Sequence, residues 1–546
     1  MAETTEKNPV DVQTHSADYH DEDFLENEAM SASSLEHGLT IAETIKLYPK
    51  AMFWSAMVSM TVVMEGYDMT LGGSFYGYPQ FQKQFGSYYG PEIGYQVSAN
   101  WQTAGIASNA GSFIGALLAG YLNEKFGKKK VTLGGLVFMA ACVFIVFFSK
   151  TLPVFFVGQL LCSIPWGMFA TIGPTYASEV CPLALRSHFT SYINLCFAIG
   201  QFISAGVLQG MISTPNQWAY RVPFAIQWVW PAFLFPLLIF APESPWWLVR
   251  KGRYEEAERS VRRLRSKKLE SSTRTLVAYM IHTDKLERQQ AERESGSYFD
   301  CFRGSDLWRT EIACMVMFSQ AFSGGWFANN PTYFFEQAGM SASSAYKVSV
   351  GCTALSFCGT VASWFVIPRF GIRTLFLWGL GVNSVLLLII GFISLGPKSN
   401  GILWGQVSMD MIWIGVLYLT NGPIGWAILA EISSTRLRQK TISIGRNMYY
   451  LGNVFGGVLE PRMINPTAWN WRGKTSFFWG GCSALITLWG FFRLPEIKGR
   501  TYEELDILFD KKVPARQFSK YTIRDGDRVA HDNLPEKVDA EHVEEA

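Results

Sequence analysis

Charged residues are scarce in this chain: they make up 17% of its 546 residues, compared with roughly 25% in soluble domains. The net charge is only +2, so a nucleic-acid partner is not expected. No Walker A, G-x-S-x-G or H-E-x-x-H sequence occurs, and the seven histidines lie mostly in polar tails and loops. We therefore expect neither an enzyme nor an ATP-driven machine.

Cysteines that could pair or bind metal are also missing. Seven of the nine cysteines lie inside apolar runs, and no C-x-x-C pair occurs. The other two, Cys181 and Cys301, fall in loops that we predict on the cytoplasmic side. Disulfides need an oxidising compartment, and a structural zinc site needs clustered ligands. The sequence therefore predicts no disulfide, no metal site and no cofactor.

Long apolar runs are what the chain has in abundance. A run of about 20 apolar residues, at a rise of 1.5 Å per residue, matches the roughly 30 Å hydrocarbon core of a bilayer. This pattern predicts an all-α membrane protein with twelve transmembrane helices. The predicted spans are 51–79, 101–122, 131–149, 153–175, 188–210, 222–241, 309–335, 345–367, 374–396, 402–430, 440–460 and 474–493.

Three landmarks occur twice, in the same order, about 250 residues apart. A glutamate and an arginine seven positions apart follow an apolar run at Glu179 and Arg186, and again at Glu431 and Arg438. A Pro-Glu pair comes next in both places, and a basic glycine turn precedes both, as EKFGKKK and more weakly as PRFGIR. We therefore predict two pseudo-symmetric six-helix halves, at 51–241 and 309–493.

The segments outside the two halves are polar. Residues 1–50 form an acidic tail that we expect to be disordered, and we expect the C-terminal tail, 494–546, to be solvated after Asp510. The central loop, 242–308, is rich in arginine and predicts short amphipathic helices, with Glu255 and Arg259 in the favourable i,i+4 order. Basic residues concentrate in this loop, which predicts that it and both termini are cytoplasmic.

The repeated charged residues predict a cytoplasmic gate that exchanges ion pairs as the halves move. The alternative is ordinary surface charge that only orients the protein. The predicted gate residues are Glu124, Lys128, Glu179, Arg186, Glu243, Glu431, Arg438 and Glu496.

Two carboxylates interrupt the first apolar run. Glu65 and Asp68 are three residues apart, so they share one helix face. Carboxylates at membrane depth usually mark ion or proton pathways, which predicts proton coupling here. The alternative for Glu65 is an interfacial position. The other charge that we place inside a run is Arg446, either a counterion for the carboxylates or a side chain that snorkels to the interface.

Amide and indole side chains also interrupt the runs. Each amide can donate and accept, as a sugar hydroxyl requires, and an indole can stack on a sugar ring. Individually, such residues are more often contacts between helices. The predicted substrate-binding residues are Gln159, Gln201, Gln320, Asn329, Asn330 and Trp426.

Five ordered motifs resemble those of the sugar porters of the major facilitator superfamily. They are GYLNEKFGKKK, TYASEVCPLALR, PESPWWLVRKGR, GPIGWAILAEISSTRLR and PEIKGRTYEEL. Within that family, GQLLCSIPWGMF and PTYFFEQAGM are most similar to fungal maltose and α-glucoside permeases, which are proton symporters of plasma membranes. The resemblance implies proton coupling at Asp68 and sugar contacts at Gln201, Gln320 and Trp426.

The chain departs from this family in the fourth and seventh spans. Many sugar porters have an arginine in the fourth span, proposed to pair with the first-span aspartate, where this chain has Gln159. The seventh span contains QAFSGGW instead of the usual QQ-x-x-G-x-N. We expect a plasma-membrane importer of an α-glucoside such as maltose, coupled to protons. The alternatives are a proton-independent facilitator, a non-transporting sugar sensor and a carrier or exporter of a non-sugar metabolite.

Overall fold

A computed structural model describes residues 41–91, 94–105, 107–266, 273–293, 298–325, 331–397, 399–434, 437–498, 500 and 502–521. The first half begins with a short helix and a broken first span, followed by a small antiparallel hairpin in which Ser87 pairs with Gln96. Its elements are α1 Ile41–Leu47, α2 Pro49–Ser59, α3 Thr61–Phe75, α4 Pro79–Phe85, β1 Ser87–Tyr88, β2 Tyr95–Gln96, α5 Ala99–Ala104, α6 Ala107–Phe126, α7 Lys128–Phe147, α8 Leu152–Val180, α9 Leu183–Met211, α10 Trp218–Ile226 and α11 Val229–Leu238.

The central loop and the second half are also helical. The loop contains α12 Pro245–Arg250, α13 Tyr254–Leu264 and α14 Thr273–Arg293, followed by a 3-10 turn at Tyr298–Phe302. The second half contains α15 Gly304–Phe322, α16 Pro331–Gln337, α17 Ala342–Phe370, α18 Ile372–Ile393, α19 Asn400–Leu419, α20 Asn421–Glu431, α21 Arg438–Ile464 and α22 Thr475–Arg493. After it come α23 Tyr502–Asp510 and a 3-10 turn at Ala515–Gln517.

Every predicted span coincides with one helix or a pair of consecutive helices. Within the described ranges, nine helical segments are long and apolar enough to cross a membrane. The other three predicted spans, 51–79, 309–335 and 440–460, also contain helices where the structure describes them. They contain the interrupted helices α2–α3 and α15–α16, and the more polar helix α21. The fold class is confirmed, and the count of twelve is consistent with these helices.

The internal repeat is visible in atomic detail at the start of α7 and of α18. Gly127 and Gly371 precede these helices with the same φ of +89°, a conformation that favours glycine. Glu243 accepts hydrogen bonds from the backbone N–H of Lys128 and of Lys129, at 3.1 and 3.2 Å. Glu496 accepts from the backbone N–H of Ile372 at 3.0 Å. A carboxylate thus satisfies the exposed helix N-terminus in both halves.

The amphipathic helices predicted for the central loop are present. Val261 and Leu264 of α13 are 2% and 3% exposed, as the apolar stripe in the sequence predicts. Most of this face packs into a small core with residues of α12 and α14. Glu255 and Arg259 form the expected i,i+4 pair, at 3.7 Å, although both side chains are exposed. The end of the bundle on which these loop helices pack is called the basic end below.

Both tails are shorter than predicted. Residues 41–50, assigned to a disordered tail, are mostly helical, and the Arg265 guanidinium donates to the Tyr48 hydroxyl at 2.6 Å. After Asp510, where composition predicts a solvated tail, Val513 and Phe518 are buried. Phe518 packs against Phe509 of α23 and against Trp308 near the start of α15. The expectation that the chain is solvated directly after Asp510 is therefore wrong.

Candidate functional site

A narrow cavity lies between the two halves of the bundle. Both halves contribute to its wall, and most of the wall residues are small or hydroxylated. In this conformation the cavity has room for about one water molecule, so a larger ligand requires the helices to separate. The cavity is lined by Thr70 of α3, Gln201 of α9, Pro331 of α16, Ser349, Cys352, Thr353 and Ser356 of α17, and Ile414 and Tyr418 of α19.

Gln201 is the predicted substrate-binding residue that lines this cavity. Its side-chain oxygen accepts a hydrogen bond at 3.3 Å from the Tyr418 hydroxyl, which belongs to the other half. Sequence reasoning missed Tyr418 and the hydroxyl face of α17. Ser349, Thr353 and Ser356 recur at i, i+4 and i+7, a helical spacing that could have identified this face.

Glycines bring the carboxylate-bearing helix α3 close to α9. A Cβ on Gly66 would lie 2.4 Å from the Phe197 carbonyl oxygen, and one on Gly200 would lie 2.1 Å from the Val63 carbonyl oxygen. Such short distances leave no room for a side chain at either position. Helices α3 and α9 are therefore in close contact beside Glu65 and Asp68.

Asp68 is buried, at 5% exposure, among neutral amides. The Gln227 side-chain amide donates to one carboxyl oxygen at 2.5 Å. Gln159 also forms a side-chain hydrogen bond with Asp68. Gln159, predicted to bind substrate, is thus a partner of the carboxylate, and its contact with a substrate stays a prediction. Gln159 occupies the place of an arginine but still contacts the aspartate.

Glu65 has a charged partner in the opposite half. It interacts electrostatically with Arg446 of α21, and its Oε2 atom is buried with no hydrogen-bond partner in the described chain. The Arg446 guanidinium lies 4.5 Å from the centre of the Trp426 ring. This geometry favours the counterion interpretation of Arg446 over snorkelling, and the counterion serves Glu65. Trp426, predicted to contact sugar, lies against this cation, and its contact with a sugar stays a prediction.

Gln320, also predicted to bind substrate, is not among the described residues that line this cavity. The Gln320 side-chain amide donates to the Asn421 carbonyl at 2.7 Å, linking α15 to the start of α20. A Cβ on Gly425 would lie 2.2 Å from the same Gln320 amide nitrogen. Asn329 and Asn330 lie outside the described residues.

At the basic end, Glu179 is the centre of an ion-pair network. It contacts the Lys128 ammonium and the Arg250 guanidinium, each at 2.5 Å, and accepts a short hydrogen bond from the Ser244 hydroxyl. Lys128 belongs to α7, whereas Arg250 belongs to the central loop. The loop is thus joined to the first half by an ion pair of the predicted kind.

The other predicted gate residues take different positions. Glu243 and Glu496 cap α7 and α18 within their own halves, so both act on helix ends. The Glu124 side chain is exposed, and its backbone carbonyl accepts from the Trp247 indole at 2.9 Å. Glu431 ends α20 and is half-buried. The side chains of Arg186 and Arg438 lie outside what the structure describes, although both residues are helical.

At the end opposite the basic end, hydrogen bonds join the two halves directly. The Tyr346 hydroxyl donates to the Ser74 carbonyl at 2.5 Å. The Asn465 amide donates to the Val97 carbonyl at 3.0 Å. A Cβ on Gly77 would lie 2.4 Å from a carboxyl oxygen of Glu336, which places α3 against α16. The halves are therefore in close contact at this end.

Two buried carboxylates escaped the sequence analysis. Asp410 of α19 is 0% exposed and Glu460 of α21 is 3% exposed, so Arg446 is not the one buried charge outside the first span. The Trp479 indole donates to Glu460 at 2.6 Å. Asp410 stands alone in the apolar stretch VSMDMIWIG. The rule that identified Glu65 and Asp68 would have identified it.

Comparison with known proteins identifies the chain's relatives. Residues 54–509 match the family described as Sugar (and other) transporter. A general alpha-glucoside permease of Saccharomyces cerevisiae is 38% identical over 523 residues, which cover 94% of this chain and 84% of the yeast protein. A maltose permease of the same yeast is 37% identical over 500 residues, covering 90% and 81%.

The fold matches solved structures of a bacterial transporter. A partially occluded inward-open conformation of the Escherichia coli xylose transporter superposes with a TM-score of 0.67 at 18% identity, covering 83% of this chain and all of that one. The proton:xylose symporter bound to 6-bromo-6-deoxy-D-glucose gives 0.64 at 20% identity, covering 84% and 99%. The fold, the repeat and the matched sequence together establish that the chain belongs to the sugar transporter family, as a multi-pass membrane protein of the major facilitator fold.

Proposed function

We propose that this protein imports an α-glucoside such as maltose across the plasma membrane together with protons. The observation that carries the proposal is Asp68, a carboxylate buried among neutral amides on the helix that also contributes Thr70 to the cavity between the halves. The relatives whose names specify α-glucosides and maltose support the choice of substrate. The mechanism is alternating access around this cavity.

Asp68 suits reversible proton binding because its partners can serve both protonation states. An amide donates to an ionised carboxylate, and its oxygen can accept from a protonated one. A fixed arginine would instead hold the carboxylate ionised by direct charge. With Gln159 and Gln227 beside it, Asp68 keeps hydrogen-bond partners in either state. The glutamine at position 159 is therefore compatible with coupling.

Glu65 and Arg446 link proton binding to the movement of one half relative to the other. They belong to opposite halves, so their attraction favours conformations in which α3 and α21 are close. Protonation of Glu65 removes that attraction, and Arg446 retains the Trp426 ring as its support. A change of proton occupancy thus alters the energy of one conformation relative to the other, as coupling requires.

Sugar recognition falls to the hydroxyl and amide groups of the cavity. Gln201 can donate and accept, and the hydroxyl oxygens of Ser349 and Thr353 retain lone pairs for sugar hydroxyls. Because the cavity has room for about one water molecule, sugar binds when α9 and α19 move apart and the Gln201–Tyr418 hydrogen bond opens. Binding energy for the sugar and opening of the halves are therefore linked.

The two ends of the bundle act as alternating gates. The hydrogen bonds from Tyr346 and Asn465 close the end that we assign to the outside. The basic end, with both termini and the central loop, is assigned to the cytoplasm because arginine and lysine concentrate there. Glu179 and Glu431 stand at corresponding places there, and Arg186 and Arg438 complete the predicted gate. Replacing either arginine by alanine should impair transport while membrane targeting is retained.

A proton-independent facilitator is the second candidate, because the usual arginine is absent at position 159. Uptake of radiolabelled maltose, sucrose and glucose in a transporter-deficient yeast, with and without a protonophore, separates the two. Accumulation of maltose that the protonophore abolishes, with alkalinisation of the medium, is the expected result. Uptake that only equilibrates indicates a facilitator. No uptake of any sugar indicates a sensor or a carrier of another metabolite.

A further inference from the structure

Asp410 is a buried carboxyl group without a hydrogen-bond partner in the part of the chain that the structure describes. Its side chain in α19 is 0% exposed, and the lack of a partner there holds for both carboxyl oxygens. Burying an ionised carboxylate without a partner costs several kcal/mol. A protonated, neutral carboxyl is the form that this environment tolerates.

The position of Asp410 places it at the edge of the cavity. Ile414 and Tyr418 follow it at i+4 and i+8, and both line the cavity, so the three residues share one face of α19. From α17, the thiol of Cys352 also lines the cavity and interacts electrostatically with Asp410. The carboxyl therefore lies one helical turn beyond the cavity wall and beside one of its residues.

Charged groups on the neighbouring elements do not neutralise Asp410. The helices that pack on α19 are α17, α18 and α20. On α17, Lys347 is exposed and the Tyr346 hydroxyl donates to Ser74. The remaining ionisable residues of these helices are Cys352 and Cys358, and Arg369, Arg373 and Glu431 at the basic end. Of all these groups, Cys352 is the one whose interaction with Asp410 is resolved in the described structure.

We propose that Asp410 is a second proton-binding site, in the C-terminal half, that exchanges its proton with water when the cavity opens and keeps it when the cavity is closed. The proposal rests on the proposed proton-coupled transport. An apolar residue of similar volume would satisfy the packing better, since replacing buried polar groups in this way is often neutral or stabilising. Asp410 then serves transport at the expense of stability.

The test compares Asp410→Asn with Glu460→Gln in the full-length protein. Both substitutions remove a buried titratable carboxyl and preserve its shape, but Glu460 accepts a hydrogen bond from Trp479 and does not line the cavity. The readouts are protons taken up per maltose, the pH profile of uptake, and maltose exchange under conditions that need no net proton movement. Asp410→Asn should lower the proton-to-sugar ratio and flatten the pH profile, while exchange continues and Glu460→Gln resembles the wild type.

Three results would overturn the proposal. The first is an unchanged ratio and pH profile in Asp410→Asn. The second is a raised KM for exchange with an unchanged ratio, which would make Asp410 a sugar contact. The third is an equal effect of Glu460→Gln, which would make the effect one of burial in general.

A labelling experiment decides the matter even if Asp410→Asn does not fold or the wild type moves no protons. A hydrophobic carbodiimide adds to protonated carboxyl groups, forming an O-acylisourea that rearranges to a stable N-acylurea. Wild-type protein in membranes should be labelled at Asp410, less as the pH rises, and maltose should change the rate. If Asp410 is not labelled, it is not a proton-binding site. Labelling of Asp410 that does not change with pH or with maltose also contradicts the proposal. A wild type that moves no protons refutes the proposed coupling by itself.

Discussion

The two halves of the molecule share a helical arrangement, but their buried carboxylates have different partners. In the first half, Asp68 has two amide partners and Glu65 has a cation across the interface. In the second half, Glu460 has a single indole donor, and Asp410 has no hydrogen-bond partner in the described structure. The glutamate that caps the N-terminus of α7 nevertheless has a counterpart at the N-terminus of α18. Duplication thus preserved the helix ends, whereas the charged interior diverged.

The cavity wall shows the same division. The second half supplies most of the hydroxyl groups, including Ser349 and Tyr418, whereas the first half supplies Gln201 and the nearby Asp68. The first half therefore supplies the carboxylates with resolved polar or charged partners, and the second half supplies most of the hydroxyl groups together with the isolated carboxyl of Asp410. Four predictions test this comparison of the two halves, beginning with the largest expected effect.

Asp68→Asn should abolish accumulation of maltose against a gradient while maltose exchange continues. The substitution keeps the oxygen that accepts from Gln227, so the local packing is preserved, but it removes the titratable group. Uptake of labelled maltose with and without a protonophore, together with exchange from preloaded vesicles, measures both activities.

The matched control for this variant is Glu255→Gln, which neutralises an exposed carboxylate of the central loop. It should accumulate maltose like the wild type, because exposed pairs contribute about 1 kcal/mol or less. If Asp68→Asn still concentrates maltose, Asp68 is not the residue that binds the coupled proton.

Glu65→Gln and Arg446→Gln should each reduce coupled uptake, and the double variant should be less impaired than the sum of the two. Removing one member of the pair leaves the other charge uncompensated, whereas removing both does not. Both side chains are half-buried, and coupling energies within one charge network are about 0.5–3 kcal/mol, so a departure from additivity of roughly two- to tenfold in rate is expected. Initial rates of proton-driven uptake for the four proteins form the cycle. Strict additivity would mean that the two halves are not linked through these residues.

The architecture was largely readable from the sequence, because bilayer thickness fixes the length of apolar helices. The duplication was readable too, since Glu179 and Glu431 recur at one offset. The sequence could not distinguish a gate residue from a helix cap. Glu243 and Glu496 are acidic residues at repeated positions in either interpretation, and the distinction depends on which N–H groups lie nearby.

The site was less predictable, because it depends on which helix faces meet. The interactions of Gln159 with Asp68 and of Arg446 with Glu65 connect residues that are far apart in the sequence, and no local sequence pattern specifies them. Asp410 is a different case. It was missed although a lone carboxylate in an apolar run is a local signal.

Gly127→Ala and Gly371→Ala should destabilise the protein by about 1–3 kcal/mol each, because a φ of +89° with an extended ψ strains any residue with a Cβ. The effect should be larger at Gly127, where the added Cβ would lie 2.4 Å from a Glu243 oxygen, than at Gly371, where the distance to Glu496 is 2.8 Å. Thermal unfolding of the purified proteins in detergent gives the difference. Gly120→Ala is the control, since nothing lies within 4 Å of its Cβ, and it should be neutral or slightly stabilising. A larger loss of stability in Gly371→Ala than in Gly127→Ala would contradict this expectation.

The smallest effect concerns the pH dependence of Glu243, the helix cap of the first half. Burial raises the pKa of this carboxyl above its ordinary value of 4.5, so the folded protein binds the proton more tightly than the unfolded chain. The stabilisation from protonation is complete below pH 4.5 and is lost as the pH rises through the higher pKa of the folded state.

Glu243→Gln stays neutral at every pH and keeps an acceptor for the N–H groups at the start of α7. Its Tm should therefore vary less than that of the wild type across this range, by an amount equivalent to about 1 kcal/mol or less. Glu496→Gln serves as the corresponding variant of the second half. Identical pH profiles for Glu243→Gln and the wild type would show that burial of this cap has no consequence for stability.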